Sequence, residues 1–417
     1  MTEVSKASAY PKSVQPGLPR LGATPPGWSR GPLSKHLFEE ARPVNMADDE
    51  LYDLVTVKRS RGGVVLRDRL KGKEIAVKSQ FRLRAGDFLI SKRQIVHGAC
   101  GIVPPELDGA IVSNEYAVLR ARPSLDLHFL NYLAHSIYFQ QTCFHSSIGV
   151  HVEKMIFKLG EWLKWDFDLP PARDQRRIAE ILSSWDRAIE TVEALIANAR
   201  EQKAALMQAL LSGRTRLTGF DGEWLRKRLG DFVAPERTRC EPQSLGSEVR
   251  VIELEHIEAQ TGRIIGTALA REQASLKTPF TPNHVLYGKL RPYLRKFARP
   301  RFSGVCSTEI WALSANPAYC TPGFLNLLVQ TTTFDAAVNI SAGSKMPRAE
   351  WGVVAEASVA LPPLPEQLAI SDLMETVSAE LENREEQLAA LHQERAALMQ
   401  QLLTGKRRVR ATESEAA

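Results

Sequence analysis

The sequence predicts an α+β protein in which two similar mixed α/β globules alternate with two long helices. Three observations carry this. The chain contains one stretch twice: residues 169–217 and 361–409 align without a gap at a shift of 192, with 17 identities in 49 positions. A self-match at a fixed period marks a repeated structural unit. In both copies the apolar residues fall alternately four and three apart, the spacing of a heptad seam. Each copy also opens on Leu-Pro-Pro and closes on a glycine, so both helices have marked ends.

Taken in order, residues 1–24 are rich in Pro, Gly, Ser and Ala and predict a flexible N-terminal arm. Residues 25–168 form the first globule. Strands are expected at 64–66, 75–77, 88–90, 111–112 and 117–119, where β-branched and aliphatic residues cluster, and one short helix at 129–139. Residues 169–217 form the central long-helix region. Proline lacks the N–H and restricts the residue before it, so the helix starts beyond Pro171. Its seam is Ile178, Leu182, Trp185, Ile189, Val192, Ile196 and Ala199, then Leu206 and Leu210. Some 36 residues at about 1.5 Å each give a rod of roughly 54 Å. It stops at Gly213, with arginines beyond it near the negative end of the dipole.

The second globule occupies residues 218–360, with strands expected at 249–254, 284–287 and 310–313. The distal long-helix region, 361–410, carries its seam at Ile370, Met374, Val377, Leu381, Leu388, Leu391, Leu398 and Leu402, and stops at Gly405. Residues 411–417 are a flexible tail. Lys203 and Arg395 hold matching seam positions, where a polar residue can fix register. Seams this long predict helices that pack on each other or on a partner's helices. The residues expected to do so are Ile178, Leu182, Trp185, Ile189, Leu206, Leu210, Val377, Leu381, Leu398 and Leu402.

The globules match more distantly. Trp28 with Leu33 parallels Trp224 with Leu229, and residues 88–93 parallel 285–290. Residues 112–115 parallel 306–309, and 129–131 parallel 324–326. The order is globule, rod, globule, rod.

At 417 residues the chain is long enough for two to four domains, and 44% hydrophobic residues suffice for real cores. The formal net charge of +6 is a mild basic excess, compatible with nucleic acid. No apolar run approaches the length of a membrane span and no secretory leader opens the chain, so a cytoplasmic protein is expected. The five cysteines show no C-x-x-C pair, which fits free thiols and no zinc site.

Catalytic signatures are missing: no phosphate loop, no G-x-G-x-x-G, no H-E-x-x-H, no G-x-S-x-G and no amino-methyltransferase tetrapeptide, Asn or Asp before Pro-Pro-Tyr or Phe. Glu201-Gln202-Lys203 matches half of a nuclease site but lies in the seam and reads as structure. The nine histidines show no metal spacing. No catalytic residue and no metal ligand is identified. What remains is basic and aromatic. Residues 288–301 read GKLRPYLRKFARPR, with Lys289, Arg291, Arg295, Lys296, Arg299 and Arg301 around Tyr293 and Phe297. The first globule has Lys58, Arg59 and Arg61, then Arg67, Arg69, Lys71 and Lys73, then Lys92 and Arg93. Such side chains neutralise phosphates, and arginine reads guanine through two hydrogen bonds.

These features together resemble the specificity (S) subunit of a type I restriction-modification enzyme. The residues carrying the resemblance are LPPLPEQ at 361–367, the variant LPPARDQ at 169–175 and the AALMQ-LL-G endings at Gly213 and Gly405. With them go LYGKLRPYL at 286–294, CSTEIWAL at 306–313 and LEHI at 254–257 with Gly262. The first globule departs from the second, with Ser91-Lys92-Arg93 for Gly288-Lys289-Leu290 and Ser113-Asn114-Glu115 for Ser307-Thr308-Glu309.

The resemblance implies a non-catalytic reader of double-stranded DNA. Each globule would be a target recognition domain for one half of a bipartite, asymmetric site. The helices would pair as an antiparallel coiled coil, act as a spacer ruler and dock two methyltransferase (M) subunits. S-adenosylmethionine, ATP and Mg2+ would belong to partner subunits, with restriction (R) subunits joining the core. Lys92, Arg93, Lys289, Arg291, Tyr293, Arg295, Lys296, Ser307, Thr308 and Glu309 would face DNA. The rivals are a coiled-coil scaffold binding other proteins, a methylation-only system, and the S-like half of a fused enzyme.

Overall fold

The computed structural model describes residues 17–340 and 346–409. Most of the expected arm (1–16) and the tail at 411–417 lie outside the described residues. The remainder of the arm is bonded to the first globule. Thr24 Oγ1 donates to Asp168 Oδ1 at 3.0 Å, Arg30 Nη2 to the Gly22 carbonyl at 2.7 Å, and His145 Nε2 lies 3.0 Å from the Gly17 carbonyl.

The chain divides into two compact units. One comprises residues up to Thr191 together with those from Leu388; the other is Val192–Gln387. Each unit combines one globule with part of both long helices.

In the first unit, Ser29–Pro32 pairs antiparallel with Asp166–Leu169 and closes the globule just before the first long helix. One four-stranded sheet has the order Leu37–Glu39, Tyr116–Ala121, Phe88–Ser91, Cys100–Ile102. The other runs Val64–Lys71, Leu51–Val57, Ile111–Ser113, Gln80–Arg82, with its two middle strands parallel. The second unit repeats this order. Val233–Pro235, Ile310–Ala315, His284–Gly288 and Phe297–Ala298 form one sheet. Ala268–Leu269, Arg250–Ile252, Gly304–Ser307 and Lys277–Phe280 form the other, again with the middle strands parallel. Leu225–Arg228 pairs with Ser358–Leu361 to close the globule.

Several elements differ from expectation. The helix at 129–139 is two helices, Leu127–Leu133 and Ile137–His145. Ser136 breaks the run: its hydroxyl caps the second helix by accepting from the Phe139 N–H at 3.2 Å. Residues 75–77 are not a strand; they leave a 3-10 turn, with Ile75 buried and Val77 49% exposed. The strand expected at 249–254 shortens to Arg250–Ile252 and turns into a 3-10 segment at Leu254–His256.

The long helices are Ala172–Leu211 and Leu364–Leu403, 40 residues each and about 60 Å long. In the first unit Ile178 and Leu182 share a core with Phe129, Leu130, Leu402 and Leu403, and Leu398 packs on it. In the second, Leu210 joins Ile370 and Met374, with Leu206 packed against them. The start of each helix thus meets the end of the other, so they run antiparallel. Ion pairs follow the same order: Arg395 Nε to Asp186 Oδ1 at 2.5 Å, and Arg200 Nη2 to Glu385 Oε1 at 2.6 Å. Ile189 is buried, whereas Trp185, Val377 and Leu381 are half-buried. Lys203 is also half-buried, and burial lowers its ammonium pKa.

The Leu-Pro-Pro-x-x-x-Gln motifs have a mechanical reason. Gln175 is fully buried. Its amide oxygen accepts from the Asp126 N–H at 2.8 Å, and its Nε2 donates to the Ser124 and Pro170 carbonyls at 3.0 and 2.8 Å. Gln367 repeats this on Thr321 N, Tyr319 O and Pro362 O. Asp126 and Thr321 are themselves N-caps, so each glutamine bolts a long helix to the cap of a globule helix.

Candidate nucleic-acid interface

In each unit the backbone brings three segments together. The Lys92 N–H donates to the Glu115 carbonyl at 2.9 Å, and the Phe157 N–H to the Lys92 carbonyl at 2.8 Å. In the second unit Lys289 N–H donates to Glu309 O at 2.9 Å, and Ala349 N–H to Lys289 O at 2.8 Å. A basic loop, a Ser/Thr/Glu-type turn and a third, downstream segment therefore share one surface. Sequence reasoning found the first two and missed the third. Its signal was present: Phe157 and Ala349 stand 192 apart, the shift of the helix repeat.

Each turn carboxylate is gripped by an arginine. Both Arg93 Nε and Nη2 donate to Glu115. Arg348 Nε and Nη2 donate to Glu309 at 3.0 and 3.1 Å. These hydrogen bonds raise both arginine pKa values above their ordinary value. The guanidinium comes from the basic loop in one unit and from the third segment in the other. The pair leaves each Glu309 oxygen with a second acceptor site, so it orients the carboxylate without exhausting it. Ser307 Oγ accepts from the Glu309 N–H at 3.4 Å, and Ser307 and Thr308 are half-buried, so both shape the turn.

The basic stretch of the second unit divides. Arg295 and Lys296 are not open side chains. Arg295 Nη2 donates to the Gln330 carbonyl at 2.6 Å and Nε lies 3.5 Å from Asp335, while Lys296 Nζ donates to the Leu254 carbonyl at 2.6 Å. Arg299 and Arg301 both pair with Glu375 of the second long helix, at 2.5 and 3.3 Å. Arg291 and Tyr293 project into solvent, and Lys289 is half-buried. Arg291 has φ +53° and Arg295 +50°, a left-handed conformation that costs a non-glycine residue about 1 kcal/mol or more. The bonds from Arg291 N–H to Pro347 O (2.8 Å) and from Gln260 N–H to Arg295 O (3.0 Å) hold it.

In the first unit Arg59 joins the hairpin turn to both neighbouring segments, donating to Gln94 Oε1 at 2.8 Å and Glu153 Oε2 at 2.6 Å. Lys92 is part-buried, with its Nζ on the Asn114 carbonyl at 3.1 Å. Arg69 pairs with Asp53 across the hairpin, Lys73 with Asp49 at 3.0 Å and Arg67 with Asp68 at 3.3 Å. The surface is pre-organised, with most of its charge already compensated.

Among the described residues no group of three or more His, Cys, Asp or Glu side chains is placed to hold a metal ion. No helix among them is long and apolar enough to cross a membrane. Burial pushes the Cys100, Cys306 and Cys320 thiols up to about 12.

No protein-family model matches the chain. A stretch of 136 residues, 32% of the chain, is 32% identical to the Type I restriction enzyme EcoDI specificity subunit of Escherichia coli; the match spans 30% of that protein's length. Three solved structures share the fold over nearly the whole chain. The HsdS subunit from Thermoanaerobacter tengcongensis has a TM-score of 0.52 at 18% identity, covering 93% of this chain and 99% of that one. The S subunit of a type I restriction-modification system from M. genitalium has 0.56 at 13%, covering 95% and 100%. A chain from a structure of a type I restriction-modification system, described for its complex assembly and conformational transition, has 0.57 at 19%, covering 93% and 100%. The resemblance read from the Leu-Pro-Pro and AALMQ motifs thus has a counterpart both in a sequence match and in the fold.

Proposed function

We propose that this chain is the DNA-specificity subunit of a type I restriction-modification complex, a reader with no catalytic group of its own. One observation carries this reading: two globules of the same strand order each gather a basic loop, a turn and a third segment on one surface, and each is followed by a 40-residue helix. In this reading each globule docks on one half of a bipartite DNA site. Phosphate contacts position it and loop side chains read base edges. The loops differ between the globules, so the two halves differ. The helices set the gap and dock two methyltransferase subunits, which bring S-adenosylmethionine and adenine methylation. Restriction subunits using ATP and Mg2+ join that core.

The test is co-expression with a methyltransferase subunit, followed by sequencing of methylated adenines. A bipartite motif with two unlike halves and a fixed gap is expected. Absence of both a motif and a stable complex would favour a protein-binding scaffold. In the assembled complex, Arg291→Ala should weaken DNA binding and reduce the slope of log affinity against log salt by about 1. Unchanged affinity across salt concentrations would remove Arg291 from the interface.

A further inference from the structure

The third segment of the first unit is a short hairpin, Ser147–Ile148 against Ile156–Phe157. Ser147 and Phe157 are buried. Ile148 and Ile156, opposite each other in register, are 65% and 40% exposed, and Val150 at the bend is 93% exposed. Grouped aliphatic side chains held in water mark an interaction site.

The hairpin is also held in place. Ser147 Oγ donates to the Cys143 carbonyl at 2.8 Å, and the Arg59–Glu153 pair ties the bend to the neighbouring turn. A Cβ on Gly149 would lie 2.9 Å from Met155 Cα, so only glycine lets the bend close. An apolar ridge with this much support is built to be presented.

Charge flanks it. On one side are Lys92 and Arg93, reached through the Phe157–Lys92 hydrogen bond. Beside the ridge is a cleft of about 750 Å³, walled by Ile148 with Arg20, Lys158 and Lys164 and by the carboxylates Glu161 and Asp166. Lys164 is paired with Glu161 at 2.8 Å; among the described residues Arg20 and Lys158 have no ion-pair partner. An apolar ridge with the unpaired cations Arg20 and Lys158 beside it complements a duplex groove, with phosphates along its walls and base edges on the floor, and Lys92 and Arg93 would reach phosphate by exchanging Glu39 and Glu115 for it.

We propose that this hairpin enters a groove of duplex DNA and reads the first globule's half-site through Ile148, Val150 and Ile156, with thymine methyl groups as their contacts. The proposal rests on the reading of the chain as a DNA specificity subunit. Among the described residues the second unit departs from this arrangement. Ile340, which stands where Ile148 does, is 70% exposed. However, Arg348 replaces Ile156 and is held by Glu309, and Glu350 and Glu356 replace Lys158 and Lys164. The two half-sites are then read by unlike chemistry, one apolar and one polar.

The test uses the full chain co-expressed with its methyltransferase partner. Ile148→Ser/Val150→Ser should remove base preference from one half of the methylated motif and leave the other half and the gap as they were. Val150→Ser alone serves if the double variant does not assemble, since a side chain so exposed contributes little to folding. Replacing thymine by uracil in the affected half should weaken binding about fourfold for each methyl lost. Full base preference in both halves of the variants' motif, or a half-site indifferent to uracil, would overturn the proposal while the bipartite motif upholds the wider reading. No bipartite motif from the unaltered chain would overturn both.

Discussion

Gln175 and Gln367 each satisfy one buried N–H and two buried carbonyls where a long helix leaves its globule. Leucine would fill a similar volume and leave those groups unpaired. Unsatisfied buried groups cost about 1–3 kcal/mol each, so either glutamine-to-leucine change should destabilise its unit by about 3 kcal/mol, read from urea midpoints. A midpoint unchanged in both variants would show that water replaces the amide. His135 makes a second prediction. Burial, with Arg61 and Arg395 nearby, pushes its imidazole down to about 4. Unfolded, it protonates near 6.5. Its contribution is therefore complete above about pH 6.5 and is lost as pH falls toward 4. Lowering the pH from 7 to 5 should cost roughly 1–2 kcal/mol through this residue. His135→Asn should flatten the pH dependence of the melting midpoint over that range, and an unaltered slope would assign it elsewhere.

The two helix stops look alike in sequence but are not equivalent in space. Gly213 and Gly405 both take left-handed φ, +71° and +67°. A Cβ on Gly213 would touch Trp224 at 3.7 Å, an ordinary contact, whereas one on Gly405 would lie 2.6 Å from Pro25. Gly213→Ala should then cost about 1 kcal/mol of backbone strain, and Gly405→Ala clearly more, in thermal unfolding of the two variants. Equal midpoints would mean that residues 25–28 shift freely. The helices were legible in sequence because a heptad seam repeats over many turns and each end is punctuated. Short elements were less so. The strand Leu51–Val57 went unread because Asp53 interrupts its apolar run, and only the cross-strand Arg69 explains that carboxylate. Ser136 looked like one more residue of a helix, because capping depends on where the chain turns. Arg295 and Lys296 read as DNA-facing because composition reports charge, while their carbonyl partners lie 35 and 42 residues away in sequence.

At the scale of the whole molecule, the repeat was legible as order along the chain, but the compact units cut across that order: residues beyond Leu388 pack with the first globule, not the second. Antiparallel pairing causes this, since the end of the second helix must lie beside the start of the first. If the helices set the gap between two half-sites, both must lengthen together for the gap to grow. One heptad inserted after Thr191 and one after Gln387, at the unit boundaries, adds about 10.5 Å to each helix and preserves the seam. At about 3.4 Å per base pair the unspecified gap should grow by about three base pairs, with both half-sites unchanged, in the methylated-adenine motif. A single insertion in one helix shifts the register of Asp186–Arg395 against Arg200–Glu385 and should abolish assembly. An unchanged gap from the paired insertion would mean that the globules' own contacts, and not the helices, set the spacing.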